Sequence, residues 1–541
     1  MNLFEAIFTN DPIAPAIHYQ GRDITYGELR ARTLRMAQAI TSLGIARGDR
    51  VALLLNDSPE FIEAFIATCS LGAIAVPVNM SLRVDEQCSI LHNCGARIAL
   101  VESDLCNTLL THAPEKLRFL EKVVTVDREE DSDDLNSGST DEVGSRFCIS
   151  EERLRQPPVT IYPLKSVLDK TASTRGPEFS NPETDEAAFI LYTSGSTGEA
   201  KGAVHRQADI FYTNQTFCRE VLGVTRDDRL FSSSRLPFAY GLGNSFTFPL
   251  LNGATAILCC EKPTPDVIAR ILTEARPTIF FAVPVVYNLL LDHHRSRRQL
   301  DCSSLRLCVS AGEALPAHLG EEWEREFGVQ LLDGIGSTEM LHMFMSNHEN
   351  DVRYGSSGRM LAGYEARLID EHGEPTPDNV EGNLWIKGDS ASGYYWERPE
   401  ETARTFVDGW VRTGDLYRRD GDGYWFHMGR SDDCFKSSGQ WVSPVEVEGV
   451  LLRHSGVSRA AVVEDFDADQ LPCACAFVVR QDVESDLVTL EKGLRELAAA
   501  SLPRFKQPRR YIFLDELPYT ATGKIQRFKL RQSLRARKGA G

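Results

Sequence analysis

Residues Leu191 to Gly202 read LYTSGSTGEAKG, a run of glycine, serine and threonine closed by one lysine, and they follow the short apolar run Ala187 to Tyr192, AAFILY. Glycines let a main chain approach an anion closely and turn its N–H groups inward, hydroxyls add neutral donors, and Lys201 adds a positive charge. A buried strand feeding a glycine-rich turn is where nucleotide sites are built, so the local context favours a phosphate cradle over a Ser/Gly linker. It is not a Walker A loop, because Glu199 and Ala200 separate Gly198 from Lys201 and Gly202 follows.

Working outward, the chain alternates helical and strand patterns: helical spacing over Thr25 to Leu43 and Glu60 to Cys69, strand-like runs at Arg50 to Leu55 and Ala75 to Val78. An acidic, polar stretch over about 127–186 reads as a solvated insertion. The alternation then resumes, with strands expected at Ala254 to Leu258, Thr278 to Val283 and Arg306 to Val309, and a helix at Asp266 to Ala275. From Gly358 short apolar runs between glycine-rich turns predict a small β-barrel-like subdomain, and after Arg430 a compact α+β unit begins. The expectation is an α/β protein with a large N-terminal domain, residues 1–431, of α/β subdomains plus the small barrel, followed by a small mobile domain, residues 432–541.

A chain of 541 residues is too long for one core. Lysines and arginines number 59 against 77 acids, a formal charge of −18 with no basic stripe, which argues against nucleic acid and anionic membrane as partners. The N-terminus MNLFEAIFTNDPIAP lacks a basic n-region and a long apolar h-region, and a cytoplasmic location is expected. The 13 cysteines form no CxxC pair and mostly sit in apolar segments, as small core residues in a reducing compartment do. HExxH and Ser-x-x-Lys are absent, and Gly241-Leu242-Gly243 begins a GxGxxG that fails at Phe246.

Further segments join the loop: DGIGSTEM (Asp333 to Met340), RTGDL (Arg412 to Leu416), GRSDDCFKSSGQWVSP (Gly429 to Pro444) and LPYTATGKIQR (Leu517 to Arg527). In this order and spacing they resemble the adenylate-forming superfamily of acyl- and aryl-CoA ligases, luciferases and peptide-synthetase adenylation domains. FAYGLGNSFTFPL, GIGSTEMLH and SSGQWVSPVEVE are most similar to the benzoate-CoA ligase branch. The resemblance implies an aryl-acid CoA ligase that makes an acyl-adenylate from ATP and then passes the acyl group to coenzyme A.

It also implies the site. Thr193, Ser194, Gly195, Ser196, Thr197, Gly198 and Lys201 would hold the β- and γ-phosphates, and Ala311, Gly312, Glu313 and the run Asp333, Gly334, Ile335, Gly336, Ser337, Thr338 the adenosine. Ile335 stands where the family often has an aromatic residue. Glu339 would hold Mg2+, a hard cation content with one carboxylate plus phosphate oxygens and water; the same acid suits a helix-capping arrangement behind Ser337 or Thr338. Asp415 would accept both ribose hydroxyls, or else cap the turn after Gly414. Arg430 would meet ribose or phosphate, or is a surface arginine. Lys524 matches the lysine that reaches between carboxylate and α-phosphate. Asp432 resembles the hinge of a domain rotation that withdraws Lys524 and brings up Gly439, with Lys436 beside nucleotide or CoA. Phe238, Ala239, Tyr240, Gly241, Ile335 and His342 would line a flat aryl pocket, with core packing an equal reading for Phe238.

Free CoA is the simpler acceptor; a carrier protein loaded in trans, a medium-chain acyl substrate, a luciferase-like oxygenase and a non-catalytic nucleotide sensor are the alternatives. The sensor reading would suit a chain lacking Lys201, Glu339 or Lys524, and all are present. A monomer or a homodimer is expected.

Overall fold

A computed structural model describes residues 2–127, 159–171, 177, 179, 181, 183, 185–194, 200–297, 300–437, 440–467, 471–482, 486–519 and 525–539. Two large sheets dominate. A seven-stranded sheet runs in the order Thr160–Pro163, Lys122–Val126, Ile98–Glu102, Arg50–Leu54, Ile74–Pro77, Ala187–Ser194, Ala200–Arg206. Its pairs are parallel except the last, where Ala187–Ser194 and Ala200–Arg206 form a hairpin. The inner strands are continuous apolar runs because helices cover both faces, leaving no polar side to alternate with. Helix Tyr26–Ser42 starts on a reciprocal capping box between Thr25 and Glu28. Helix Pro59–Ser70 starts on Ser58 with proline in its first turn.

A nine-stranded sheet has the order Arg359–Met360, Met343–Ser346, Leu331–Gly336, Leu307–Ser310, Ile279–Ala282, Arg229–Ser232, Thr255–Ile257, Pro15–Tyr19, Arg22–Thr25. From Leu331–Gly336 to Pro15–Tyr19 the neighbours are parallel. The segments Phe238–Gly241, Ala311–Glu313 and Ile335–Glu339 therefore all emerge near the carboxyl ends of parallel strands, where ligands of open α/β sheets bind.

Two expectations need correction. Within the stretch read as a solvated insertion, Thr160–Pro163 pairs with Lys122–Val126 as the edge of the first sheet, and helix Leu164–Thr171 buries Val167 and Thr171 beneath it. That edge strand is short and follows an acidic run, so its pattern is swamped by its neighbours. The segment after Gly358 forms a five-stranded antiparallel sheet of Glu365–Ile369, Gly382–Lys387, Trp410–Arg419, Phe406–Val407 and Trp425–Arg430, and among the described residues the ladder stays open instead of closing as a barrel.

The C-terminal part has a three-stranded sheet, Val457–Phe466, Pro472–Arg480 and Arg510–Leu514, with cores of its own on both faces: Val462, Phe435 and Leu494 in one, Phe477, Leu530 and Leu534 in the other. This makes a mixed α/β protein with a large N-terminal body and a smaller C-terminal domain. No helix among the described residues is long and apolar enough to cross a membrane.

Candidate active site

The hairpin that carries the glycine-rich loop sets Thr193 opposite Lys201 and Ser194 opposite Ala200. Gly195, Ser196, Thr197 and Gly198, the loop itself, lie outside the described residues. Gly202 is forced: a Cβ there would come within 2.6 Å of Ile190 Cγ2. The Lys201 ammonium lies 5.7 Å from the centre of the Tyr395 ring.

Tyr395 was not singled out from the sequence, yet it ties this hairpin to the segment Ser337–His342. Its hydroxyl donates to Glu339 Oε1 at 2.6 Å. Burial first, then the Glu339 carboxylate, pushes the phenol up, so it stays a donor. Next to it the Ser392 N–H donates to the Glu339 carbonyl at 2.8 Å, and Ser390 Oγ to the Met340 carbonyl at 2.9 Å. Glu339 is half-buried, and its Oε2 has no hydrogen-bond partner among the described residues. A single braced carboxylate with one free edge suits Mg2+ held chiefly by phosphate and water. No cluster of three or more His, Cys, Asp or Glu side chains that could hold a metal is found among the described residues.

The turn carrying Glu339 is strained. Leu341, buried and bulky, has φ 64°, in the left-handed region that such residues avoid, and its N–H closes the turn on the Thr338 carbonyl at 3.1 Å. Gly336 in the preceding strand has no room for a side chain, since a Cβ would sit 2.4 Å from the His342 carbonyl oxygen.

Asp415 and Arg430 are register partners on adjacent strands, and Arg430 Nη1 donates to Asp415 Oδ1 at 3.0 Å and to the Thr413 carbonyl at 2.8 Å. Burial raises the Asp415 carboxyl, but His427 and Arg430 together outweigh it and hold the group down at about 2. Asp415 is thus a fixed anion with two cationic or donor neighbours. His427 is a further functional candidate that sequence reasoning missed; a register shift between Leu416 and Tyr417 brings it 3.6 Å from Asp415 Oδ1, which no local pattern announces. Gly414, φ 74°, passes so close to Arg430 that a Cβ would lie 2.7 Å from Nη2.

Asp333 is buried, and burial pushes its carboxyl well up; Oδ2 accepts from the Leu315 N–H at 3.4 Å, while Oδ1 has no hydrogen-bond partner among the described residues. It lies in register with Ser310 on the neighbouring strand, just before Ala311. Ala311 is buried, Gly312 exposed with φ 94°, and Glu313 half-buried. Gly334 packs too tightly against Met343 and Met345 for any side chain.

In the aryl-pocket set, Tyr240 donates its hydroxyl to the Val309 carbonyl at 3.1 Å, Phe238 is half-buried, Ala239 is buried, and Gly241 abuts the Arg235 carbonyl. His342 stands behind them. It is 3% exposed, caged by the rings of Phe217, Tyr240 and Phe248 at 5.2, 5.6 and 4.6 Å, and its Nε2 lies 3.2 Å from Asn244 Oδ1. Burial lowers its pKa to about 3, so the imidazole is neutral. Asn244, missed in the sequence, is buried, and its Nδ2 has no hydrogen-bond partner among the described residues. Ile335 is half-buried against the same core.

Lys436 pairs with Glu371 at 2.8 Å, and Asp432 is exposed at the turn that leaves the strand Trp425–Arg430. Gly439 and Lys524 lie outside the described residues.

A strand hairpin carrying Lys201, a carboxylate at Glu339 braced by Tyr395 and a buried, ionised Asp415 beside Arg430 are parts that suit an adenylate-forming enzyme, and comparison with known proteins agrees. Residues 4–396 match the AMP-binding enzyme family and residues 446–524 its C-terminal domain; the chain belongs to this family. It is 39% identical to the benzoate-CoA ligase of Thauera aromatica over 94% of this chain and 90% of the relative. The crystal structure of the anthranilate CoA ligase AuaEII in complex with anthranoyl-AMP superposes with a TM-score of 0.88 at 33% identity, covering 99% of this chain and 97% of that one. A benzoate CoA ligase from Burkholderia xenovorans LB400 gives 0.84 at 36% identity over 98% and 100%.

Proposed function

We propose that the chain is an AMP-forming aryl-acid CoA ligase acting on benzoate-sized carboxylic acids. The observation that carries this reading is the aromatic cluster of Tyr240, Phe217 and Phe248 around His342, next to the segment Ile335–Glu339, which Tyr395 ties to the hairpin that carries Lys201. The carboxylate oxygen of the acid attacks the α-phosphorus of ATP, the α–β bridging bond breaks, and pyrophosphate leaves with the acyl-AMP formed. The CoA thiolate then adds to the acyl carbonyl and expels AMP, and the thiol proton passes to solvent.

Two anions must meet in the first step, so cations and fixed donors set the barrier. Thr193, Ser194, Gly195, Ser196, Thr197, Gly198 and Lys201 bind the departing phosphates, and Lys524 bridges carboxylate and α-phosphate. Glu339 holds Mg2+, which when bound neutralises phosphate charge. Asp415 accepts the ribose hydroxyls, a role favoured by a carboxylate kept ionised, and Arg430 orients it. Ala311, Gly312, Glu313 and Asp333 flank the adenine. Residues 1–431 form the adenylation body and 432–541 the mobile domain, turning about Asp432 to exchange Lys524 for Gly439. Cytoplasmic action on free acid and CoA fits the absence of any membrane-crossing helix among the described residues.

Aryl-acid-dependent exchange of labelled pyrophosphate into ATP tests the reading. Exchange with benzoate or aminobenzoate is expected without CoA, and no exchange with any aryl acid would refute it.

A further inference from the structure

The buried ring of His205 faces acceptors on both sides: Nδ1 lies 3.0 Å from Asp209 Oδ2, and Nε2 lies 2.8 Å from the Thr338 carbonyl oxygen. Both side chains are fully buried, and the ring stacks on Phe189 with centroids 5.3 Å apart and planes 19° from parallel. A carboxylate and a carbonyl can only accept, so each ring nitrogen faces an acceptor and Nε2 is placed to donate to Thr338. Asp209 is itself fixed by Arg206, whose Nε and Nη2 donate to Oδ1 at 2.9 and 2.8 Å and whose N–H donates to Oδ2 at 3.0 Å. Arg206 Nη2 also donates to the Asp389 carbonyl at 2.6 Å.

The acceptor of this chain is not an arbitrary carbonyl. Thr338 O also closes the strained turn through Leu341, and Glu339 is the next residue. His205 sits on the strand Ala200–Arg206 that begins at the phosphate loop and carries Lys201. One rigid strand therefore fixes both the loop's lysine and the backbone of the acid across the cleft. We propose that His205 is a positioning residue that holds the Thr338–Leu341 turn, and through it the Glu339 carboxylate, in register with the phosphate hairpin for Mg2+–nucleotide binding. This rests on the metal role of Glu339 given above.

The test uses two amides that each keep one half of the imidazole. In His205→Gln the amide nitrogen reaches the Nε2 position and can still donate to Thr338; in His205→Asn it reaches only the Nδ1 position facing Asp209. Binding of α,β-methylene-ATP to the full chain is measured by isothermal titration calorimetry in Mg2+ and in EDTA. Losing one donor to the turn is worth about tenfold in affinity. His205→Asn is expected to bind about tenfold more weakly in Mg2+ and like wild type in EDTA, with His205→Gln within about threefold of wild type in both. Equal weakening by both amides, no weakening by either, or weakening undiminished in EDTA overturns the proposal. If His205→Asn fails to fold, His205→Gln decides alone, and a tenfold loss there overturns it. Glu339→Gln run in parallel separates the two readings: it is expected to abolish the gain that Mg2+ brings. A gain that survives there defeats the metal role of Glu339 itself, whatever the His205 variants do.

Discussion

Tyr395 and Glu339, separated by 56 residues of chain, meet in a 2.6 Å hydrogen bond from phenol to carboxylate. The bond engages Oε1, while Oε2 has no hydrogen-bond partner among the described residues. A bond to a charged acceptor contributes about 1.5–3 kcal/mol. Tyr395→Phe is therefore expected to raise the Mg2+ concentration for half-maximal pyrophosphate release about tenfold, with the KM for the aryl acid unchanged. An unchanged Mg2+ requirement would show that the bond is structural only.

His342 gives a prediction about acid stability. Its folded pKa of about 3 lies below the usual histidine value of 6.5. The folded state thus resists a proton that the unfolded chain accepts, and stability falls as pH drops from about 6.5 towards 3. Between pH 6.5 and 4 this amounts to about 3 kcal/mol. His342→Gln, which does not titrate, should lose correspondingly less over that interval in denaturant unfolding monitored by tryptophan fluorescence. Parallel losses in both proteins would show that the imidazole is not held neutral.

The reach of sequence reasoning follows from how local each signal is. Arg50–Leu54, Ile279–Ala282 and helix Tyr26–Ser42 were legible because burial on both faces writes continuous apolar runs in strands and a buried stripe writes helical spacing of apolar residues from Thr25 to Leu43. Thr160–Pro163 was not, because an edge strand of four residues beside an acidic run carries too few apolar positions. Glu339, Asp415 and Arg430 stood out by motif, and the structure sets the last two side by side. His205, Tyr395, Asn244 and His427 did not, because what marks them is a partner brought by the fold: Thr338 lies 133 residues from His205 and His342 lies 98 from Asn244.

The two half-reactions should separate genetically. Lys524→Ala is expected to nearly abolish acyl-AMP formation while leaving thioester formation from supplied acyl-AMP largely intact, because in the proposed mechanism the lysine acts only before the domain turns. Gly439→Leu should do the reverse, since a side chain there obstructs the thiol's path. Both are read by single-turnover assays with ATP plus acid, or with acyl-AMP plus CoA. Equal loss of both half-reactions in either variant would remove the support for domain alternation.

The most direct measurement is kcat/KM for CoA-thioester formation, with AMP release followed in parallel, across benzoate, aminobenzoates, hydroxybenzoates and octanoate. The short aromatic wall of Phe238 and Tyr240, backed by His342, should favour at least one benzoate-sized acid over octanoate by about tenfold or more, the discrimination an apolar pocket supplies between a filled and an overfilled state. Octanoate turning over as well as every aryl acid would contradict the aryl-acid assignment.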